Sequence, residues 1–292
     1  MKKIKVLLGG FTFKNLTGSE LYLYELARNL VNMNCDVSIV SPNLGNPLQN
    51  MVSQFGIKTY NFNTIDKNES FDIIHCQHKP VVRELIKYFP NTPKVCSIHS
   101  EIIEMEEPIL DESIKVYISI RDQIYDLLVN NFNLSEDKVT IIYNPIDNNK
   151  FNTLGIKDEN YTLFVGTFEN LRRNTVLDLV NYTKEQGREL WLVGENHSNY
   201  LPIALKETHV KYYQSTVSIE NFIKNCKDTA GILLGRTTIE GWMCGKPGWI
   251  YDIDRFGNIK DKNLYTPPSD IEKFYSSNVA KKIKETYDKI LL

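Results

Sequence analysis

Short apolar runs alternate with amphipathic stretches along the whole chain. Residues 3–8 read as a strand. Residues 20–31 read as a helix whose Leu21, Leu23, Tyr24, Leu26, Ala27 and Leu30 supply a buried surface. Strands follow at 37–40, 57–61, 71–75, 95–99 and 116–119, with helices at 82–88 and 121–130, and a strand at 139–143 closes this half. The pattern then restarts. Strands are expected at 161–165, 190–193, 210–213, 230–234 and 248–251. Helices are expected at 174–186 and 218–226, the latter with Ser218 as its cap and Glu220 in its first turn. The turn-rich segment 144–151 is the seam, which divides the chain into residues 1–148 and 149–292. Regular strand–helix alternation implies the α/β class: two Rossmann-like domains, each a parallel sheet with helices on both faces, facing each other across a cleft. Ligands of open α/β sheets bind at the carboxyl ends of the strands.

Composition narrows the class. The 292 residues are 42% hydrophobic and 24% charged, an ordinary globular balance. The net charge of -2 gives no overall basic field for nucleic acid or an anionic membrane. The basic start at Lys2 and Lys3 precedes too short an apolar run for a signal peptide, and no segment approaches the roughly 20 apolar residues of a membrane span. Five cysteines, an odd number with no close pair, fit a reduced, cytoplasmic protein and argue against a cysteine-based zinc site.

The most informative stretch follows the expected strand at 230–234. Gly235, Arg236, Thr237 and Thr238 read as a glycine turn and a hydroxyl-rich helix start, and Gly245-Lys246-Pro247 as its stop. A helix N-terminus offers unpaired N–H groups and partial positive charge, which suits a phosphate. Glu240 falls about one turn inside, where it could take a pair of sugar hydroxyls; the competing reading is a capped helix with a chance carboxylate.

Other constellations sit at expected strand ends. Gly9 and Gly10 follow the first strand, and Gly18 opens the next helix. Glycine lets a backbone approach a ligand closely, and the competing reading is a turn with a Ser19 cap. Arg172 and Arg173 lie in the loop after Gly166, where guanidinium could clamp a diphosphate or simply face solvent. His99 ends a strand and could bond a sugar or move a proton. His75 and His78 lack a further ligand at metal spacing. The acidic run Glu101 to Glu107 could shape an acceptor pocket or be a solvated loop. Lys79, Arg83, Lys87 and Lys94 could form a basic surface.

Together these residues resemble glycosyltransferase family 4, with its two-domain GT-B architecture. The resemblance rests on Gly18-Ser19-Glu20, on Ser97-Ile98-His99, on Asn144-Pro145-Ile146-Asp147, and on Glu240 joined to Gly245-Lys246-Pro247. It implies a nucleotide-diphosphate sugar donor, UDP-linked, and sugar transfer with retention to a glycan or glycolipid, without an obligatory metal or other cofactor. Carried over, His99 is the catalytic-site residue near the transferred sugar. Gly10, Gly18, Arg172, Arg173, Gly235, Arg236, Thr237, Thr238 and Glu240 bind the donor, with Glu240 on the ribose. The family's last helix can return to the first domain. The chain departs from the family pattern in two places: Ile232 stands where a first glutamate often precedes Glu240 by eight, and Thr167 follows Gly166 where arginine is usual. Those departures leave room for a non-catalytic nucleotide-sugar-binding protein. The same architecture would also suit a sugar-nucleotide 2-epimerase, or a transferase acting on a modified DNA base.

Overall fold

The structure is a computed structural model that describes residues 3–292. The chain separates into two compact units. One runs through Pro145 and resumes at Lys273–Leu292; the other is Ile146–Glu272.

The first unit opens with β1 (Lys5–Gly9), β2 (Thr12–Phe13), α1 (Gly18–Asn32), β3 (Asp36–Val40), β4 (Asn43–Leu44), α2 (Leu48–Ser53) and β5 (Lys58–Tyr60). It continues with β6 (Ile73–Gln77), α3 (Lys79–Tyr88), β7 (Lys94–Ile98), β8 (Ile114–Ser119), α4 (Asp122–Asp126) and β9 (Val139–Ile141). Seven strands pair in the order β5-β3-β1-β6-β7-β8-β9, all in parallel. Central strands covered on both faces must be apolar almost throughout. Val6, Leu7, Leu8, Ile73, Ile74 and Val95 accordingly have no exposed surface. The buried face of α1 is turned slightly from expectation. Tyr22 is buried while Leu21 and Tyr24 are only half-buried, because the Tyr22 hydroxyl finds a partner inside, Ser97 Oγ at 3.0 Å. The single helix expected at 121–130 is α4 followed by a wider helical turn at Leu127–Asn131.

The second unit contains β10 (Tyr161–Val165), α5 (Arg173–Glu185), β11 (Glu189–Val193), α6 (Leu201–Ala204), β12 (Val210–Tyr213), α7 (Ile219–Asn225), β13 (Asp228–Ile232), α8 (Arg236–Met243), β14 (Gly248–Ile253) and β15 (Ile259–Tyr265). The sheet order is β12-β11-β10-β13-β14-β15. Its first five strands are parallel, and β15 runs antiparallel to β14. The strand expected at 230–234 ends two residues early because Leu233 takes a left-handed φ of 54°. Ser218 does precede α7, but its side chain makes no capping bond. Close approach at strand ends requires glycine at one point: Gly194 has φ 150°, and a Cβ there would stand 1.8 Å from the Gly166 carbonyl oxygen.

The chain ends in α9 (Ser276–Leu291), which packs on α1 of the first unit and buries Val279, Ala280, Ile283 and Tyr287. Among the described residues no helix is long and apolar enough to cross a membrane.

Candidate active site

In the second unit, β13 leads through Leu233 and Gly235 into α8. The Thr237 and Thr238 amides at this helix start have no hydrogen-bond partner among the described residues. Unpaired amides and the helix dipole together attract an anion. A Cβ at Gly235 would meet only the Ile232 carbonyl oxygen at 3.5 Å, so neither packing nor backbone conformation demands glycine there. The Thr238 side chain points into the helix–sheet interface. A Cβ at Gly248 would lie 2.6 Å from its Cγ2, so Thr238 has only its amide to offer. Glu240 is buried, and Arg236 Nε donates to its Oε1 at 2.6 Å. This i,i+4 pair holds the carboxylate and the guanidinium together one turn into the helix.

The two arginines after β10 separate. Arg172 Nη1 pairs with Glu169, and its Nε passes 3.3 Å from where a Gly166 Cβ would stand. Arg173 opens α5 and is exposed. Its side chain has no hydrogen bond or ion pair among the described residues.

In the first unit, Gly10 and Gly18 differ in why glycine is present. A Cβ at Gly10 would come within 2.5 Å of Leu23 Cδ1, so a larger residue there must displace a buried side chain of α1. At Gly18 an added Cβ meets nothing within 4 Å. The expected Ser19 cap is not formed: Thr17 is the cap residue, and its hydroxyl donates to Glu20 Oε2 at 2.5 Å. Glu20 Oε1 also accepts the Lys14 and Asn15 amides, each at 3.0 Å, and so shapes the loop before α1.

The carboxyl ends of β6 and β7 gather three histidines. His75 is fully buried and bonded at both ring nitrogens, to Tyr287 Oη and to Ser97 Oγ at 2.6 Å each. Burial, and then the charge of His99, push its pKa down to about 3, so it stays neutral. These bonds make it part of the frame. His78 caps α3 with φ 69°; its Nδ1 accepts the Phe11 amide at 3.2 Å, and its Nε2 lies 3.2 Å from Glu106 Oε1. His99 Nε2 is buried without a partner. Its ring meets the Tyr22 ring edge-on at a centroid distance of 4.7 Å. Burial, together with His78 and Arg121, lowers its pKa to about 4 against an opposing pull from Glu106. At neutral pH His99 is therefore an uncharged hydrogen-bonding group rather than a charged acid.

The acidic run is not a solvated loop throughout. Glu101 pairs with Arg121, Glu107 with Lys79 at 2.5 Å, and Glu106 with His78 and the His99 amide. The basic surface is also smaller than expected. Lys94 is buried, donating to the Phe89 and Thr92 carbonyls at 2.6 and 2.8 Å, and burial lowers its pKa. With Lys79 paired, Arg83 and Lys87 remain exposed on α3. The sequence singled out His78 and the run that contains Glu106, but not their pairing, which only the fold brings about.

Comparison with known proteins completes the picture. Residues 16–150 match the model of Glycosyltransferase Family 4. No curated protein matches the sequence. Among solved structures, a glycosyltransferase from Rickettsia africae ESF-5 is 14% identical, with TM-score 0.71 over 100% of this chain and 99% of that one. HepE from Anabaena, solved with UDP and glucose, is 13% identical, with TM-score 0.75 over 98% and 100%. An alpha-glucosyltransferase solved with UDP and a 13-mer DNA containing an HMU base is 11% identical, with TM-score 0.59 over 86% and 80%. At these identities the likeness is one of fold. Residues 16–150 are thus similar to Glycosyltransferase Family 4, and the α/β architecture is that of glycosyltransferase structures.

Proposed function

We propose that this family 4-like glycosyltransferase moves a sugar from a UDP-linked donor to a glycan or glycolipid, with retention of anomeric configuration. The observation that carries the reading is the start of α8, where the Thr237 and Thr238 amides lie unpaired behind a glycine that no internal contact requires. As the bond between the anomeric carbon and the diphosphate oxygen breaks, negative charge grows on the leaving diphosphate. Preorganised amides and guanidinium groups stabilise that charge more than they stabilise the ground state. Arg173 is assigned to the diphosphate, with Arg172 and Arg236 lending charge from their pairs with Glu169 and Glu240. Glu240 is assigned to the ribose hydroxyls while tied to Arg236. Gly10 and Gly18 are assigned to close backbone approach by the donor. His99, neutral and with an unpartnered Nε2, is assigned to a hydroxyl of the transferred sugar. This division of labour gives a metal no role, so turnover is expected to survive EDTA.

The test is calorimetry with UDP and uridine, followed by hydrolysis assays with a panel of nucleotide sugars. UDP is expected to bind much more tightly than uridine, and one UDP-sugar to be cleaved. Equal affinity for the two would remove the phosphate site. Tight UDP binding with no donor cleaved would leave a binding protein instead of an enzyme. A modified-DNA acceptor is motivated by the fold shared with the DNA-bound alpha-glucosyltransferase. The burial of Lys94 and the pairing of Lys79 favour the glycan or glycolipid. Salt-sensitive binding of DNA that is lost on reversing Arg83 and Lys87 would overturn that preference.

A further inference from the structure

Glu106 is a buried carboxylate that joins three separate segments. Its Oε2 accepts the His99 amide at 3.1 Å. Its Oε1 lies 3.2 Å from His78 Nε2, both side chains being almost wholly buried. His78 Nδ1 in turn accepts the Phe11 amide at 3.2 Å. Because Nδ1 accepts, the ring proton sits on Nε2 and is donated to Glu106. The glycine turn after β1, the turn between β6 and α3, and the residue ending β7 are thus held by one bonded chain. We propose that Glu106, oriented by His78, is the positioning residue that sets where the His99 ring stands. This rests on the assignment of His99 to the transferred sugar.

The chemistry of the chain makes the role specific to a carboxylate. Glutamine at this position could still accept the His99 amide through its carbonyl oxygen. Its NH2 would then face the His78 Nε2–H, donor against donor. Moving the His78 proton to Nδ1 would restore that contact only by opposing the Phe11 amide. No tautomer satisfies all three bonds, and a buried group left unpaired drives rearrangement. Burial opposes ionisation of the Glu106 carboxyl, but the hydrogen bonds from His78 and the His99 amide hold it below its usual range. The ionised form therefore persists at neutral pH. Among the described residues nothing hydrogen-bonds His99 Nε2, and Tyr22 touches the ring edge-on. The His78 ring also stacks beside it at a centroid distance of 6.3 Å, so the aim of the ring depends on its backbone anchor and on the two rings set against it.

The experiment compares Glu106→Gln, His99→Ala and Glu107→Gln, the last removing only an ion pair of the same loop with Lys79. Turnover is read with UDP-glucose or whichever UDP-sugar the donor panel shows to be cleaved, UDP affinity by calorimetry, and the histidine rings by 1H–15N NMR. Glu106→Gln is expected to lower kcat about 10- to 100-fold, the scale of loss for a catalytic group displaced by about 1 Å. UDP affinity and the donor KM should stay within about twofold, and the His99 ring signals should move. Glu107→Gln should match wild type in all three. Full turnover in His99→Ala would overturn the assignment of His99 itself. An inactive His99→Ala beside a fully active Glu106→Gln would overturn the positioning role alone. If Glu106→Gln does not fold, His78→Asn carries the test, since asparagine tolerates the left-handed φ at this position. Wild-type kcat with unshifted His99 signals in that variant would equally overturn the role.

Discussion

Glu240 and Arg236 show how one residue can serve stability and binding together. The carboxylate is buried and bonded by Arg236 Nε. Removing one member of such a pair leaves the other charge uncompensated, which is strongly destabilising. Glu240→Ala is therefore expected to lower the unfolding midpoint. In the protein that remains folded it should weaken UDP binding by about 1.5–3 kcal/mol, the range for hydrogen bonds to charged groups. Calorimetry well below the new midpoint separates the two effects, and unchanged UDP affinity there would detach Glu240 from the ribose. The buried histidines make a different prediction. His75 and His99 have folded pKa values near 3 and 4, below the ordinary value of about 6.5. A lowered histidine pKa means that the unfolded chain takes up protons first. Stability is thus complete above pH about 6.5 and is lost as pH falls through the window toward 4 and then 3. Each group adds a slope of up to about 1.4 kcal/mol per pH unit. Thermal unfolding from pH 7 to pH 5 should show a falling midpoint, less steep in His75→Gln than in wild type. A midpoint flat over that range would contradict the neutral, buried state of both rings.

At the scale of elements, the glycines separate fold from ligand. Gly194 stands under the Gly166 carbonyl and has φ 150°, so Gly194→Ala is expected to disrupt the carboxyl ends of β10 and β11 and to lower the unfolding midpoint sharply. Gly18 is the converse. It begins α1 with open space around its Cβ position, and alanine there should stabilise the helix slightly, by about 0.4–1 kcal/mol. If Gly18→Ala raises the midpoint and yet weakens donor binding, the glycine serves a ligand. Equal donor affinity would leave it a plain helix start. The same comparison explains what the sequence made legible. The apolar run 161–165 became a strand with those bounds, because a run buried on both faces has few other options. The polar strand β15 gave no such signal, being an exposed edge that pairs only with β14. Lys94 looked like surface charge, and only the chain's turn back past Phe89 and Thr92 supplies the carbonyls that bury its ammonium. Glu106 was hidden for the same reason. Its neighbours in sequence are acidic, whereas its bonding partner His78 lies 28 positions earlier. The placement of Arg172 and Arg173 after a strand end was readable from the pattern; that Glu169 takes up one of them was not.

At the scale of the whole molecule, the path of the chain makes the first unit depend on its last residues. The final helix begins after the second unit is complete, and belongs to the first. It buries Val279, Ala280, Ile283 and Tyr287. Tyr287 also ends the buried chain that runs through His75 and Ser97 to Tyr22. A chain ending at Tyr275 would expose the apolar side of α1 and leave His75 Nδ1 without its partner. Fully burying a side chain of this kind contributes about 1.5–3 kcal/mol, so losing several in one step exceeds much of a domain's net stability of about 5–15 kcal/mol. The second unit keeps its own sheet and all the residues assigned to phosphate and ribose, from Arg172 to Glu240. The truncated chain is therefore expected to lose the first unit's cooperative unfolding transition while the second unit still binds UDP with affinity within a few-fold of the full chain, and to have no turnover. Calorimetric unfolding and UDP titration of the same sample read both halves of this prediction. Loss of UDP binding together with the first transition would mean that the units do not fold independently, or that the first unit supplies donor contacts beyond those assigned to it. Two intact transitions would mean that α9 adds little to the core of the first unit, against the burial of its four apolar positions.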